Sequence, residues 1–190
     1  MIAEVDRVRA SKDSIGGVFE VLARGVPVGL GSHVQWDRKL DARLAQAVMS
    51  IQAVKAVAVG DGIEGASRAG SEHHDPIAWD AAARRFARPT NRAGGIEGGM
   101  SNGGIVRVRG YLKPLATLPR PLPSIDLVDK TPFEAAVERT DTIPIVAAGV
   151  VGEAMTALVL ADEMLRKFGG DSLGELRRNL ATYGEQLDRY

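Results

Sequence analysis

The sequence predicts an α+β fold in which helices pack against an antiparallel sheet. Residues 18–24 and 105–112 alternate apolar and polar side chains, which is the period of a half-buried strand. Residues 37–52 and 172–187 repeat apolar side chains at helical spacing, and residues 144–168 form one long apolar stretch. At 190 residues, the chain has the length of one domain that can bury a good core.

Charge and cysteine content exclude several classes of function. Lys plus Arg and Asp plus Glu both number 24, so no global field attracts nucleic acid or an anionic membrane. The absence of cysteine removes disulfides, thiol catalysis and thiolate metal sites, and fits a reducing cytosol. The first residues are charged and lack the apolar segment of a signal peptide. We therefore expect a cytoplasmic protein.

The amino-terminal third predicts helix, strand, helix and strand in that order. Residues 4–12 read as a helix, a turn follows at residues 13–17, and Phe19, Val21 and Ala23 share one face of the next strand. Asp37 is expected to cap the second helix. The apolar face of this helix is formed by Leu40, Leu44, Val48 and Ile51. Residues 54–59 then read as a buried strand.

Two motifs after this strand imitate known sites. Residues 60–65 match G-x-G-x-x-G, but no helix and second strand follow, so a Rossmann dinucleotide site is not predicted. His73, His74 and Asp75 could suggest a metal site, yet adjacent histidines on one loop rarely converge on one ion. We interpret them as a solvated polar loop, followed by a short helix within residues 77–88.

The strand at residues 105–112 separates its side chains cleanly into two faces. Val106 and Val108 share one face, whereas Arg107 and Arg109 share the other. The two arginines fit a solvated surface or an anion-binding wall equally well.

Capping signals define the carboxyl-terminal helices. Thr131 to Glu134 reads as a capping box that starts a short helix, and Ser172 to Glu175 as a second one. Residues 143–161 imitate a membrane span but contain Glu153, Pro144, two glycines and five alanines, which favours a buried core helix. Asp162–Arg166 and Glu163–Lys167 pairs are expected near the end of this long helix.

A glycine-rich loop is the most distinctive stretch of the chain. Six glycines lie between Gly94 and Gly104, and the sequence NRAGGIEGGMSNG occupies residues 91–103. Glycine permits positive φ and close approach of another group to the main chain. A flexible linker would be rich in Ser or Pro instead. The composition favours a loop shaped around a ligand.

This loop, together with KPLAT at residues 113–117 and RTD at residues 139–141, resembles the chorismate synthase family. Supporting passages are DSIGG at residues 13–17, PVGLG at 27–31, SIQAVK at 50–55 and KFGGD at 167–171. The match spans nearly the whole chain in order. The family's amino-terminal Gly-x-Ser-His-Gly and Ser-Ala-Arg motifs, and its catalytic histidines, have no counterpart here. The resemblance thus implies that residues 1–190 form the C-terminal half of a chorismate synthase-like domain, one half of a β-α-β sandwich, with the N-terminal half absent.

The resemblance implies an enzyme that converts 5-enolpyruvylshikimate 3-phosphate to chorismate and phosphate. This anti-1,4-elimination has no net redox change but requires reduced FMN, for which NADPH is a candidate reductant. Asp141 corresponds to the carboxylate that manages a proton near flavin N5. The FMN-binding positions implied by the family are Gln52, Ala53, Gly98, Lys113, Pro114, Leu115, Ala116, Thr117 and Arg139.

The resemblance also implies a homotetramer, with no nucleic-acid or membrane partner. We expect the 190-residue chain to be inactive alone, because half of the FMN and substrate contacts are missing. Two other classes stay open, namely a non-catalytic module that binds a flavin or phosphorylated ligand, and a structural or assembly fragment. The Arg139–Asp141 pair could also be purely structural.

Overall fold

The computed structural model describes residues 1–82, 84–138 and 140–189. Within those residues the helices are α1 (Ile2–Ala10), α2 (Leu40–Met49), α3 (Gly62–Gly65), α4 (Gly70–His73), α5 (Ile145–Phe168) and α6 (Leu173–Leu187). The strands are β1 (Gly17–Ala23), β2 (Val54–Val59), β3 (Ala78–Asp80), β4 (Arg85–Ala87), β5 (Ile96–Glu97), β6 (Met100–Ser101), β7 (Val106–Leu112), β8 (Pro123–Ile125) and β9 (Pro132–Glu134). A 3₁₀ turn, Trp36–Arg38, precedes α2.

A three-stranded antiparallel sheet with the order β1-β7-β2 forms the centre of the molecule. Strand β7 lies in the middle and pairs with β1 over its full length, from Gly17 opposite Leu112 to Ala23 opposite Val106. One face of β7 is buried at Val106 and Val108, as its alternation predicts. The predicted α+β class, with helices on an antiparallel sheet, is confirmed.

Helices α2 and α5 cover the buried face of this sheet. Leu40, Leu44 and Val48 of α2 are fully buried, which confirms the predicted apolar face. The Phe19 ring lies between Gly110 of β7 and Gly152 of α5, where a Cβ atom on either glycine would overlap it. Glycine at both positions therefore lets the helix approach the sheet around this ring.

Helix α6 folds back on the end of α5. Ser172 caps α6 by accepting a hydrogen bond from the Glu175 N–H at 3.2 Å, as the second capping box predicts. The Phe168 and Tyr183 rings pack in a tilted arrangement at a centroid distance of 5.4 Å. Leu176 and Leu180 also pack on the core, so most of the predicted stripe of α6 is used.

Two predicted short helices are hairpins instead. In residues 77–88, Trp79 packs edge-on against Phe86 across the β3–β4 pair, with ring centroids 5.3 Å apart. At residues 131–134, the Thr131 hydroxyl donates to Asp129 rather than capping a helix, and Pro132–Glu134 pairs with Pro123–Ile125. Side-chain turns at Asp80 and Asp126 close these hairpins and override the local helical signals.

Three further details differ from the sequence-based expectations. Lys39, not Asp37, occupies the N-cap position of α2, because residues 36–38 form the 3₁₀ turn first. Glu163 pairs with Arg43 of α2 rather than with Lys167. The predicted Asp162–Arg166 pair is present, with Oδ2 and Nε 2.9 Å apart.

Helix α5 is only partly buried, whereas the sequence predicts a buried core helix. Ala148, Gly152 and Thr156 face the sheet. The opposite face exposes large apolar side chains, including Val146, Val150, Val151, Leu158 and Leu165. By length and composition alone, α5 is also the one helix in the described part of the chain that could cross a membrane, which is weak evidence for a span.

Candidate functional site

The glycine-rich loop folds as a tight structure around the short β5–β6 hairpin. Gly94, Gly95, Gly98, Gly99 and Gly103 all have φ between 59° and 85°, the left-handed region that other residues rarely adopt. A side chain on Gly94 or Gly95 would overlap the backbone of Gly60 or Ile105. The glycines are therefore required by the conformation and by close backbone packing.

Asp75 anchors the start of this loop. Its Oδ1 accepts hydrogen bonds from the Thr90 hydroxyl at 2.5 Å and the Arg92 N–H at 2.9 Å, and its Oδ2 accepts from the Ala93 N–H at 2.9 Å. Asp75 is buried, which corrects the expectation of a solvated loop. Burial acts to raise the pKa of this carboxyl, but the hydrogen bonds from Thr90, Ala93 and Arg92 hold the pKa below its ordinary value of 3.8.

The other end of the loop is attached to the amino terminus of α2. The Gly99 carbonyl accepts the Leu40 N–H at 2.8 Å, and Gly31 bridges to Met100. The buried Ser101 hydroxyl donates to the Pro27 carbonyl at 2.6 Å and accepts the Leu30 N–H at 2.8 Å. These contacts fix the loop between residues 27–31 and α2.

The two arginines of β7 are paired with carboxylates of the same chain. Arg109 contacts Glu64 through an Nη1–Oε1 distance of 2.6 Å, and Arg107 contacts Glu20 at 3.1 Å and Asp61 at 3.4 Å. Hydrogen bonding from Arg109 lowers the pKa of the exposed Glu64 carboxyl from 4.5 to about 2. The arginines thus form a salt-bridge network, which disfavours the anion-wall alternative.

A second group of predicted site residues meets around the turn at residues 13–17. The Lys113 N–H donates to the Ala53 carbonyl at 2.9 Å. The buried Ser14 hydroxyl donates to the Leu115 carbonyl at 2.8 Å, and the Ile15 N–H donates to the Thr142 carbonyl at 2.9 Å. This turn therefore joins three separate stretches, which contain Ala53, residues 113–117 and the neighbour of Asp141.

This second group presents an open surface. Gln52, Lys113, Thr117 and Asp141 are exposed, as are Pro114 and Ala116. Ala53 has a φ of 67°, a left-handed conformation that is unusual for alanine. Within the described parts of the chain Lys113 forms no ion pair, and its Nζ lies 3.5 Å from the Pro114 carbonyl. Arg139 lies outside the described residues.

Gly98 does not join this group within one chain. The glycine loop contacts residues 105–107, at the start of β7, whereas Lys113 follows the end of that strand. Strand β7 has 7 residues and is therefore about 20 Å long. Gly98 is exposed at the opposite end of the sheet from Lys113 and Asp141.

Sequence reasoning missed two residues that hold these loops. Ser14 lies in a turn where a local pattern gives no reason to single out one hydroxyl, and its partner is 101 residues away. Asp75 lies beside two histidines that drew attention to metal binding instead. Among the described residues, no group of three or more His, Asp or Glu side chains could hold a metal ion.

Comparisons with known proteins relate this chain to one family. The family model described as chorismate synthase matches residues 1–165. Chorismate synthase of Solibacter usitatus is 58% identical over 186 residues, which cover 98% of this chain and 48% of that protein. The Geobacter sulfurreducens chorismate synthase is 56% identical over 193 residues, which cover 98% of this chain and 49% of that protein.

The fold comparison points the same way. A chorismate synthase crystal structure superimposes with a TM-score of 0.82 and 41% identity, covering 100% of this chain and 48% of that one. The chain thus spans about half the length of the curated relatives that it matches. The chain belongs to the chorismate synthase family.

Proposed function

We propose that this chain supplies the C-terminal half of a chorismate synthase, which converts 5-enolpyruvylshikimate 3-phosphate to chorismate and phosphate with reduced FMN. The observation that carries this proposal is the group of Ala53, residues 113–117 and Asp141 around the turn at residues 13–17, most of whose members are exposed. Sequence similarity to the family accompanies it over nearly the whole chain.

The residues of this group fit the phosphate end of FMN. Lys113 offers an ammonium without a competing carboxylate in the described residues, and Thr117 adds an exposed hydroxyl four residues later. Both are donors that a phosphate accepts. Gln52 and Ala53 border the same segment, and we assign them to the flavin edge. Gly98 and Arg139 complete the proposed set, with Gly98 contributed from a neighbouring copy in a homotetramer.

The proposed chemistry needs a group that takes or gives a proton beside the flavin. When bound, reduced FMN supplies electron density to the elimination without net redox change. Asp141 carries an exposed carboxylate close to the residue 113–117 segment, since its neighbour Thr142 is tied to Ile15. In this proposal, a carboxylate oxygen of Asp141 holds the proton that is exchanged near flavin N5.

We further propose that this chain is inactive alone and requires the N-terminal half of the family's domain. The exposed apolar face of α5 supports this, as do the outer edges of β1 and β2, which pair with no other strand in the described residues. Large apolar patches and open sheet edges mark sites of association with other protein. In this proposal α5 is a core helix of a cytoplasmic β-α-β sandwich and has no membrane role. NADPH is the proposed reductant of the flavin.

Reconstitution tests the half-molecule proposal. The chain is mixed or co-expressed with the N-terminal half of the Solibacter usitatus chorismate synthase, and chorismate formation is measured anaerobically with reduced FMN. We expect no turnover from either half alone and measurable turnover from the pair. A stable pair that binds FMN without turnover would favour a non-catalytic binding module. A stable pair without FMN binding would favour an assembly fragment.

The role of Asp141 is tested in the same reconstituted enzyme. Asp141→Asn preserves the shape of the side chain but cannot carry the negative charge, so FMN binding should persist while kcat falls at least about a hundredfold. The matched control is Asp188→Asn, which removes an exposed carboxylate after α6 and should leave kcat unchanged. Normal turnover in the Asp141→Asn enzyme would refute the assignment.

A further inference from the structure

A pocket of about 360 Å³ lies at the carboxyl-terminal end of α5, away from the Lys113 group. Its walls come from the loop after β1, the 3₁₀ turn and the last turns of α5. Its lining includes Gly29, Ser32, Arg38, Glu163, Arg166 and Lys167. Three of these six residues are cationic and only one is acidic.

Two of the cations have no carboxylate partner in the described residues. The Lys167 Nζ lies 4.3 Å from the centroid of the Tyr183 ring and 5.6 Å from that of Phe168. Cation–π contacts hold an ammonium in place while leaving its N–H donors available. Arg38 is exposed on the 3₁₀ turn, and among the residues that the structure describes only its backbone takes part in hydrogen bonds.

The acidic side chains at this pocket are already neutralised. Glu163 is buried and is bound by Arg43, while Asp162 is shared between Arg43 at 2.5 Å and Arg166 at 2.9 Å. With Arg38 and Lys167 added, four cations face two carboxylates, so the cluster carries a net charge of +2. The carboxyl end of α5 contributes roughly −0.5 of a charge, which does not cancel this excess.

The backbone of Gly29 forms part of the pocket wall beside Lys167. Its φ is +81°, and a Cβ there would lie 3.1 Å from the Lys167 Nζ and 3.2 Å from the Tyr183 hydroxyl oxygen. A larger residue at this position would therefore push the Lys167 ammonium away from its place beside Gly29. The Ser32 hydroxyl, which accepts the Val34 N–H at 3.2 Å, keeps its own proton free to donate.

We propose that this pocket binds a phosphate dianion, either free or as a small phosphate monoester. The Lys167 ammonium, the Arg38 guanidinium and the Ser32 hydroxyl line this pocket, and a tetrahedral phosphate offers more acceptor oxygens than a planar carboxylate. The site is separate from the proposed flavin group. Ile145 packs near Gly17 at that end, and Lys167 is 22 residues further along α5, or about 33 Å.

Nuclear magnetic resonance of the ¹⁵N-labelled 190-residue chain tests this proposal. Inorganic phosphate and glycerol 3-phosphate are titrated separately, against sodium chloride at matched ionic strength. We expect saturable shifts of the Gly29, Gly31 and Ser32 amides with phosphate and none with chloride. Equal affinities would identify free phosphate as the ligand, and tighter binding of the ester would identify a monoester.

Variants distinguish binding of phosphate in this pocket from a general attraction of phosphate to basic residues. Arg38→Gln and Lys167→Gln should each weaken binding about fivefold, whereas Lys167→Arg should retain it. Arg120→Gln removes an exposed cation elsewhere and should change nothing. Lys113→Gln should leave the pocket shifts intact, which keeps this result independent of the proposed flavin site.

Two outcomes would overturn the proposal. The first is amide chemical shifts that rise linearly with phosphate concentration, or that sodium chloride reproduces. The second is an equal weakening of phosphate binding by Arg120→Gln and by Lys167→Gln. If Lys167→Gln destabilises the fold, Arg38→Gln replaces it as the test variant. Binding is then measured as the increase in unfolding temperature when phosphate is added, which should be smaller in Arg38→Gln than in the wild type. An unchanged increase in Arg38→Gln would then count against the pocket.

Discussion

At the scale of single residues, Asp75 holds the start of the glycine-rich loop. One buried carboxylate accepts three hydrogen bonds from residues that lie 15 to 18 positions later. Hydrogen bonds to a charged acceptor are stronger than neutral ones, and a buried N–H that loses its partner is costly. Asp75 therefore determines where the glycine-rich loop begins.

We expect Asp75→Asn to destabilise the protein by about 2 kcal/mol at pH 7. Both carboxylate oxygens of Asp75 accept hydrogen bonds, and asparagine replaces one of them with an NH₂ group, which cannot accept. At least one backbone N–H of the loop therefore loses its acceptor. Chemical denaturation measures the change, and hydrogen exchange should increase at Arg92 and Ala93. Asp188→Asn, an exposed change outside the loop, is the control. Equal stability of wild type and Asp75→Asn would show that the carboxylate does not hold the loop.

The pH dependence of this difference has a defined sign. The folded-state pKa of Asp75 lies below 3.8, so its stabilisation is present above pH 3.8 and is lost as pH falls through the folded value. The stability gap between wild type and Asp75→Asn should therefore be constant from pH 7 to about pH 4 and narrow below it. A gap that widens as the solution is acidified would contradict this assignment.

At the scale of secondary-structure elements, α5 can contact the sheet closely because glycine, which has no side chain, occupies the point of contact. A Cβ on Gly152 would overlap the Phe19 ring, with 2.8 Å to Cζ, whereas a Cβ on Gly149 would lie 3.8 Å from Phe19 Cβ. The ring is buried and also confined by Gly110, so it cannot move aside. The two helical glycines therefore have different roles.

Alanine substitution should distinguish these two glycines. Gly152→Ala should destabilise the fold by about 1–3 kcal/mol through overpacking. Gly149→Ala should be neutral or stabilise by up to about 1 kcal/mol, since alanine favours helix and the contact is an ordinary one. Urea denaturation followed by circular dichroism measures both variants. Equal effects at the two positions would show that Phe19 does not control the approach of α5.

The ion pairs of Arg43 connect α2 to α5. Glu163 is 5% exposed, so removing its partner leaves a buried and unpaired charge. Arg43→Met should therefore cost about 3–5 kcal/mol at pH 7. Adding Glu163→Gln to that variant should recover part of the loss, which a double-mutant cycle can quantify. A loss below about 1 kcal/mol in Arg43→Met would mean that the pair is not buried in solution.

At the scale of the whole molecule, α5 leaves one face of large apolar side chains exposed to solvent. Val150 and Leu158 are each 65% exposed, and burial of such side chains contributes about 1.5–3 kcal/mol each. A surface of this kind favours association with other protein. The same face would be covered in the proposed two-half assembly.

We therefore expect the isolated chain to self-associate in a concentration-dependent way. The double variant Val150→Glu and Leu158→Glu should be monomeric and keep its circular dichroism spectrum, because both positions point away from the sheet. It should also fail to assemble with the N-terminal half of a relative. Light scattering after gel filtration measures the mass, with Arg120→Glu as a control for added negative charge. A monomeric wild-type chain would count against the role of this face.

The sequence by itself determined the elements whose signals are local. The alternation of β7, the apolar face of α2 and the Ser172 cap are set by periods of two and 3.6 residues and by a neighbouring hydroxyl. The long glycine-rich motif and its companions likewise identified the family. These features depend on residues within a few positions of each other.

Only the tertiary structure decided which distant groups meet. Arg43 and Glu163 are 120 residues apart, and Ser14 and Leu115 are 101 apart, so no local pattern assigns them to each other. Glu163 likewise pairs with Arg43 of α2, and Lys167 contacts the Tyr183 ring of α6 instead of Glu163. Chain packing brings these partners together, and no pattern along the sequence relates them.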